Sequence, residues 1–233
     1  MKAILLDIEG TTTPIDFVHK TLFPFASEKM REYVGQNFNN IEGEIAQLKT
    51  EHAGDDSYPN TKDFDKNSIE SIVNYLQFLI KVDRKSTPLK SIQGKIWQKG
   101  YESGELKSEV FADVPPAFER WKSNDKTIAI YSSGSVLAQQ LIFTYSNFGD
   151  LTSRIDNYFD TEIGHKRDVE SYRSIALELS LKPSEIMFIS DVVEELDAAK
   201  SADFNTILII REGNKPLNQS TNHPLIHSFD EIL

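Results

Sequence analysis

Apolar residues occur along the chain in two patterns. Continuous apolar runs, which are typical of strands buried on both faces of a parallel sheet, are found at residues 2–6, 127–131, 158–160, 185–190 and 206–210. Between the later runs, apolar residues recur at the spacing of amphipathic helices. The helices so predicted cover residues 134–147, 168–180 and 194–202. This alternation predicts an α/β fold, with a parallel sheet and helices on both faces.

The long segment between the first two predicted strands shows only the helical pattern. Three stretches, which begin near Asp16, Asn67 and Pro88, carry apolar residues at helical spacing. Pro24 is expected to interrupt the first stretch, because proline lacks an amide hydrogen and clashes with the preceding turn. A capping-box pattern predicts Asn67 as the N-cap of the second. Residues 37–66 are polar and weakly patterned.

The two patterns predict two domains. An all-helical domain, residues 16–112, is inserted after the first strand of an α/β core that is formed by residues 1–15 and 113–233. A chain of 233 residues is long enough for this arrangement, since domains are commonly 100 to 200 residues long.

Composition narrows the class of protein. The formal net charge of −11 argues against nucleic acid or an anionic membrane as a partner, because both require a basic face. The chain has no cysteine, which excludes disulfides, thiolate catalysis and cysteine-ligated metals. No apolar stretch reaches membrane-spanning length, and no signal-peptide pattern precedes the first strand. We therefore expect a cytoplasmic protein, with a nuclear location left open. A single core with one inserted domain is sufficient as a monomer, and we expect that state.

Polar residues that could carry chemistry follow four of the predicted strands. They are Asp7 with Glu9, Ser132 with Ser133, Lys166, and Asp191. In open α/β sheets, binding sites form beyond the carboxyl ends of the strands. Phosphoryl transfer to a carboxylate requires a nucleophilic acid, donors for the phosphate oxygens, a cation and metal-binding oxygens. The pattern therefore indicates a site for a phosphate ester, where local cations offset the negative charge of the whole protein.

Several of these segments resemble known motifs. The string from Asp7 to Thr11 resembles the first motif of the haloacid dehalogenase superfamily, Asp-x-Asp-x-Thr after an apolar strand. In the enolase-phosphatases, a branch of this superfamily, the second acid is Glu, as it is here. Further strings similar to that branch are found at residues 6–15, 97–104, 131–135, 164–166 and 170–172. The resemblance extends from residue 3 to about 213 and is thinnest over residues 37–66.

The resemblance implies a Rossmann-like core, a helical cap that closes over the site, and one Mg²⁺ per subunit. Asp7 would be the nucleophile and Glu9 the general acid–base. The residues implied for phosphate binding are Ser132, Ser133 and Lys166. Mg²⁺ would be held by Asp7, Asp191 and the backbone carbonyl of Glu9. Many members of the superfamily carry a second acid beside the residue matched by Asp191, whereas here Glu195 is the candidate for the outer shell.

The same resemblance implies a substrate and a second reaction. The enolase-phosphatases enolise 2,3-diketo-5-methylthiopentyl-1-phosphate and then remove its phosphate to give an acireductone, a step of methionine salvage. The base of the enolisation is left open among Glu9, Lys99 and Tyr101. Three rival hypotheses remain. They are a phosphatase of the superfamily that acts on another small metabolite, a dehalogenase, against which Glu9 argues, and a non-enzymatic interaction module.

Overall fold

The computed structural model describes residues 1–59, 64–214, 216 and 221–232. The chain forms two compact units, one made of residues 1–18 and 107–233 and the other of residues 19–106. Each unit is described by itself below. The interpretation of the helical unit as a cap stays a prediction.

The first unit is built on a parallel sheet, which in the described part of the chain has six strands in the order β3-β2-β1-β4-β5-β6. The strands are β1 (Ala3–Leu6), β2 (Thr127–Tyr131), β3 (Asn157–Phe159), β4 (Ile186–Ser190), β5 (Asn205–Ile209) and β6 (Leu225–Ile226). The central strand β1 pairs with β2 on one side and with β4 on the other. Leu6 lies opposite both Ile130 and Ile189, so these three strands end at nearly the same level.

Helices cover both faces of this sheet. Those of the first unit are α1 (Ile15–Phe17), α6 (Val114–Ser123), α7 (Val136–Thr144), α8 (Val169–Glu178) and α9 (Val193–Ser201). Alternate strand residues point to opposite faces. One face, with Leu5, Ala129 and Phe188, packs in a single buried cluster with Ile175 of α8 and Leu196 of α9. The opposite face packs against α6. The predicted α/β fold class, with helices inserted between the first two strands, is confirmed.

The second unit is entirely helical in its described part. Its helices are α2 (Phe23–Asn37), α3 (Glu42–Ala53), α4 (Ile69–Lys81) and α5 (Thr87–Glu102). A π-helical segment, Val18–Leu22, separates α1 from α2, so the predicted break in this stretch is a change of helical geometry that ends just before Phe23. Pro24 lies in the first turn of α2, where the missing amide hydrogen costs no hydrogen bond. None of the helices in the described ranges is long and apolar enough to cross a membrane.

The structure differs from the sequence pattern at three points. Helix α3 lies within the segment that the sequence shows as weakly patterned. Its pattern is weak because only Ile45 and Leu48 of that helix are buried. Strand β6 lies in the polar tail and has only two residues, too few to produce a recognisable run. The N-cap of α4 is Ser68, whose hydroxyl accepts a hydrogen bond from the amide of Ser71, and the prediction of Asn67 is therefore wrong.

Candidate active site

Three strands bring polar residues together at the carboxyl edge of the sheet. Asp7 directly follows β1 and its amide donates to the carbonyl of Ile189 at 3.1 Å. Ser132 directly follows β2, and Asp191 directly follows β4. Because these strands are neighbours in the sheet and end at nearly the same level, the residues predicted for catalysis, phosphate binding and metal binding share this edge.

Lys166 joins two carboxylates inside this site. Its Nζ lies 2.7 Å from Asp7 Oδ1 and 2.6 Å from Glu195 Oε2. The three side chains are only 9%, 6% and 12% exposed, in the order Lys166, Asp7 and Glu195. Burial opposes the charged ammonium, but the charges of Asp7 and Glu195 outweigh it and hold the pKa of Lys166 above its ordinary value. Lys166 is therefore a fixed cation at the predicted nucleophile.

Further donors orient the carboxylate of Asp7. The amide of Ile8 donates to Asp7 Oδ1 at 2.7 Å. The hydroxyl of Ser190 lies 3.3 Å from Asp7 Oδ2 and 3.1 Å from Glu195 Oε2. A hydroxyl has a single hydrogen, so Ser190 donates to one of these carboxylates at a time. Asp7 is thus held from two sides, and Ser190 links the ends of β1 and β4.

A tight turn follows Asp7 and places the next residues. The carbonyl of Ile8 accepts hydrogen bonds from the amides of Thr11, Thr12 and Thr13 at 2.9–3.2 Å. Extended backbone therefore ends at Asp7, and the alternation that would point Glu9 in the same direction as Asp7 does not continue. Glu9 is partly exposed, whereas Asp7 is buried.

Gly10 lies where this turn comes closest to Asp191, the acidic residue that follows β4. It adopts a φ of +70°, and a Cβ at this position would overlap Asp191 Oδ2 and lie 2.9 Å from Asn214 Oδ1. The side-chain amide of Asn214 donates to the carbonyl of Gly10 at 3.0 Å, and Asn214 Oδ1 is a buried acceptor with no hydrogen-bond partner among the residues that the structure describes. The carboxylate of Asp191 therefore lies directly against the backbone beside Glu9.

The segment after β2 forms a polar turn ahead of helix α7. The Ser132 hydroxyl is buried and accepts from the amide of Gly134 at 3.1 Å. Ser135 is the N-cap of α7, with its hydroxyl accepting from the amide of Ala138 at 3.3 Å, so the helix begins at Val136, two residues later than the Gly134 start suggested by the sequence. Ser132 and Ser133 precede a helix N-terminus, where backbone donors favour an anion.

The charge balance of the site fits a divalent cation. Asp7, Asp191 and Glu195 place three carboxylates around the single ammonium of Lys166 within the described residues. Burial raises the pKa of Asp191 and of Glu195 above the ordinary range, and the charge of Asp7 raises both further. Carboxylate and carbonyl oxygens are the ligands that Mg²⁺ prefers. The residues present therefore suit Mg²⁺, whose charge would stabilise the carboxylate forms of Asp191 and Glu195.

The predicted ligand set contains few side chains. Among the described residues, no three histidine, aspartate or glutamate side chains are grouped to hold a metal ion by themselves. The prediction requires two side chains, Asp7 and Asp191, and the carbonyl of Glu9. Mg²⁺ commonly keeps several waters and binds through one or two carboxylates plus a phosphate, so the small number of side chains is consistent with it.

The structure places the other candidates for the enolisation base in the helical unit. Lys99 lies with its Nζ 4.8 Å from the ring centroid of Tyr33. Tyr101 is 3% exposed, and burial raises its pKa well above the ordinary value. Because a raised pKa keeps the hydroxyl protonated, Tyr101 is poorly suited to accept a proton from the substrate.

Residues after β5 also reach the site, and the sequence pattern did not identify them. Asn214 holds the carbonyl of Gly10, and Arg211 Nε donates to the carbonyl of Thr11 at 3.1 Å. Arg211 also pairs with Asp113 at 2.7 Å and lies between the rings of Phe111 and Phe229. The only signal in the sequence is a polar Arg-Glu-Gly-Asn string after an apolar strand.

Comparison with known proteins agrees with this architecture. The family model of the haloacid dehalogenase-like hydrolases matches residues 1–203. The crystal structure of the UTR4 protein from Saccharomyces cerevisiae is similar, with a TM-score of 0.81, 35% identity and coverage of 99% of both chains. A crystal structure of a dehalogenase, with 20% identity and a TM-score of 0.58 over 99% of this chain and 95% of that one, shares the fold. Fold and site thus define a hydrolase of this class.

Sequence relatives narrow the class further. The enolase-phosphatase E1 of Leptospira borgpetersenii serovar Hardjo-bovis is 48% identical over 229 residues, and that of Synechococcus elongatus 46% over 231 residues, each covering 98% of this chain and 96% of the relative. The enolase-phosphatase E1 of Drosophila pseudoobscura pseudoobscura is 42% identical over 241 residues, 99% of this chain and 94% of the relative. The chain belongs to the enolase-phosphatase E1 family of haloacid dehalogenase-like hydrolases, and the resemblance stated above is confirmed.

Without a divalent cation, we expect the protein to lose stability as the pH rises above the ordinary carboxyl range. Asp191 and Glu195 have ordinary pKa values of 3.8 and 4.5 and raised values in the folded state. The folded state therefore binds more protons than the unfolded chain above these values, and the free energy of unfolding falls with rising pH. Thermal unfolding in EDTA at about pH 5 and about pH 8 measures this slope.

The matched control for this experiment is a variant with Asp191→Asn and Glu195→Gln, which removes both titrating groups and nearly keeps their shape. Its unfolding temperature should depend less on pH than that of the wild type, and Mg²⁺ should flatten the wild-type slope only. An equal slope in the wild type and the variant would show that other groups cause the pH dependence.

Proposed function

We propose that the protein is a Mg²⁺-dependent enolase-phosphatase of methionine salvage that acts on 2,3-diketo-5-methylthiopentyl-1-phosphate. The observation that carries the proposal is the buried arrangement of Asp7, Lys166 and Asp191 at the ends of neighbouring strands. Identities of 42–48% to enolase-phosphatases E1 over nearly the whole chain support the choice of substrate.

In the phosphatase reaction, a carboxylate oxygen of Asp7 attacks phosphorus and the ester oxygen leaves. The hydrogen bond from the amide of Ile8 fixes the direction of the Asp7 carboxylate before the attack, and the Ser190 hydroxyl adds a second bond when it donates to Asp7 instead of Glu195. The ammonium of Lys166 balances negative charge on the transferring group, which is the usual role of a cation in phosphoryl transfer. Ser132 and Ser133, ahead of the α7 N-terminus, donate to the phosphate oxygens.

Glu9 is the general acid when the phosphoryl group moves to Asp7 and the general base when the aspartyl-phosphate is hydrolysed. Its carboxyl group protonates the leaving enolate oxygen while the phosphoryl group moves to Asp7. As a carboxylate it then takes a proton from the water that hydrolyses the aspartyl-phosphate. Glu9 is partly exposed beside the buried Asp7, so it has access to water. The same carboxylate is our candidate for the base that removes the proton alpha to the carbonyl in the enolisation.

Mg²⁺, when bound, supplies charge neutralisation and polarises the oxygens of substrate and phosphate. Asp7, Asp191 and the carbonyl of Glu9 are the residues that would hold it. Gly10 is essential to this arrangement because no Cβ fits between the turn and Asp191.

The test is an assay of the diketone phosphate in which phosphate release and the ultraviolet absorbance of the enol products are followed together. We expect both signals with Mg²⁺ and neither signal with EDTA. Release of phosphate from sugar phosphates, with no reaction of the diketone, would instead favour a phosphatase for another small metabolite. Turnover of a haloacid in EDTA would favour a dehalogenase, and no turnover of any kind with Mg²⁺ would refute the enzymatic proposal.

A further inference from the structure

The loop that carries Lys166 has no regular secondary structure, yet three consecutive carbonyls in it accept hydrogen bonds from side-chain hydroxyls. The three bonds are those of Tyr131 to Gly164 at 3.0 Å, Ser171 to His165 at 2.8 Å, and Tyr172 to Lys166 at 2.6 Å. Three successive loop carbonyls are rarely bound in this way by buried side chains, since connecting segments run over the protein surface and most of their carbonyls face water. The loop is therefore held at three successive carbonyls, those of Gly164, His165 and Lys166.

The hydroxyls come from two regular elements of the first unit. Tyr131 is the last residue of β2, and Ser171 and Tyr172 lie in the first turns of α8. All three residues are buried, and the rings of Tyr131 and Tyr172 pack edge to face with centroids 5.7 Å apart. A strand and a helix thus fix the loop from both sides, and both elements belong to the packed core.

Gly164 shows how closely the loop approaches α8. Its φ is +135°, and a Cβ at this position would overlap Ser171 Oγ and lie 3.1 Å from Ser171 Cβ. Any other residue would push the loop away from the helix and break the bond between Ser171 and the His165 carbonyl. The loop is therefore packed as closely as its backbone allows.

We propose that Tyr131, Ser171 and Tyr172 are positioning residues that hold the backbone of this loop so that the Lys166 ammonium stands at Asp7 and at the phosphate. The proposal rests on the role of Lys166 in the proposed function. Lysine carries its charge on a flexible four-carbon stem, so a fixed backbone is needed to fix the charge. The ring of Tyr131, whose centroid lies 5.9 Å from the ammonium, restricts the stem further.

A structural role and a positioning role predict different results. If the hydroxyls only satisfy buried carbonyls, their removal lowers the unfolding temperature and leaves catalysis unchanged. If they position Lys166, their removal also lowers kcat and weakens the binding of phosphate, since small displacements of a charge at the reacting group are costly. The effect must then pass through the ammonium, and it must disappear when the ammonium is absent.

The test is a double-mutant cycle between Tyr172→Phe and Lys166→Met, with inorganic phosphate as the probe. Binding of phosphate is measured by calorimetry with Mg²⁺ present, and kcat and KM are measured for the single Tyr172 variant. Tyr158→Phe is the matched control, because it removes the same atom from a buried hydroxyl that has no hydrogen-bond partner among the described residues. Ser171→Ala tests the neighbouring bond, and it replaces Tyr172→Phe in the cycle if that variant does not fold.

We expect Tyr172→Phe to lower kcat about tenfold and to weaken phosphate binding about fivefold, whereas Tyr158→Phe changes neither. In the Lys166→Met background, Tyr172→Phe should have no further effect on phosphate binding, which shows the two residues to be coupled. KM should rise less than kcat falls, because the ammonium interacts most strongly with the charge of the transferring group.

Two results would overturn the proposal separately from the proposed function. If Lys166→Met weakened phosphate binding but Tyr172→Phe acted no more strongly than Tyr158→Phe, only the positioning role would be wrong. The same conclusion would follow if Tyr172→Phe weakened binding equally with and without the ammonium. If Lys166→Met left phosphate binding unchanged, the assignment of Lys166 itself would fall, and the positioning role with it.

Discussion

Asp7→Asn is expected to lower the rate of phosphate release by at least about 1,000-fold, because an amide is not a nucleophile and cannot form the aspartyl-phosphate. The fold should survive the change. An amide keeps the shape of the carboxylate and can still accept the 2.7 Å hydrogen bond from Ile8. Lys166 also keeps its second partner, Glu195, at 2.6 Å. Steady-state assays of phosphate release and thermal unfolding measure the two effects.

Asp150→Asn is the matched control for this prediction. Asp150 is exposed and accepts a hydrogen bond from the amide of Thr152 at 2.8 Å, which an asparagine side chain can also accept. Asp150→Asn should therefore retain the full rate. The variant must first be shown to keep asparagine at position 7. If its rate is then near that of the wild type, a covalent intermediate on this residue is refuted.

Gly10→Ala is expected to lower kcat by at least about 100-fold, since the new methyl group would displace Asp191 from its place beside Glu9. A Cβ at Gly10 overlaps Asp191 Oδ2 and comes within 2.7 Å of its Cγ, so the backbone or the acid has to move. The positive φ adds about 1–2 kcal/mol of strain for any residue with a Cβ. Binding of Mg²⁺ should weaken together with catalysis, and calorimetry of the variant measures this loss.

Gly149→Ala is the matched control, because it introduces the backbone strain of a positive φ without a contact to Asp191. Gly149 has a φ of +84°, but a Cβ at this position meets nothing within 4 Å. Gly149→Ala should therefore cost about 1–2 kcal/mol of stability from backbone strain alone, with Mg²⁺ binding and kcat unchanged. If Gly10→Ala behaved like Gly149→Ala in stability, in Mg²⁺ binding and in kcat, the close packing against Asp191 would have no functional role.

The sequence predicts the strands and their terminal residues well because both signals are local. A buried parallel strand produces a continuous apolar run, and a polar residue directly after it stands at the edge of the sheet whatever the strand order. Asp7, Ser132 and Asp191 could be assigned in this way. Helix α3 could not, since Ile45 and Leu48 are its only buried residues and two apolar positions do not define a helical face.

The residues that support the site depend on tertiary structure, and the sequence carries no local pattern that identifies them. Asn214 reaches Gly10 because β5 lies beside β4 in the sheet, and the strand order is not visible in the apolar runs. The Ser171-Tyr172 pair was recognisable as a string, but only the fold shows that its hydroxyls bind the carbonyls of His165 and Lys166. The turn after Asp7, which ends the extended backbone before Glu9, likewise leaves no mark in the apolar run.

The position of β1 at the centre of the sheet has a consequence for how the protein is synthesised. Strand β1 is synthesised long before its two neighbours, which begin only at Thr127 and Ile186. An apolar strand with both edges unpaired is prone to associate with other chains. The helical unit, residues 19–106, is complete before either neighbour leaves the ribosome. The nascent chain therefore carries a central strand with unpaired edges until β2 and β4 have been made, and chaperones that bind extended apolar segments are expected to contact residues 3–6 during that period.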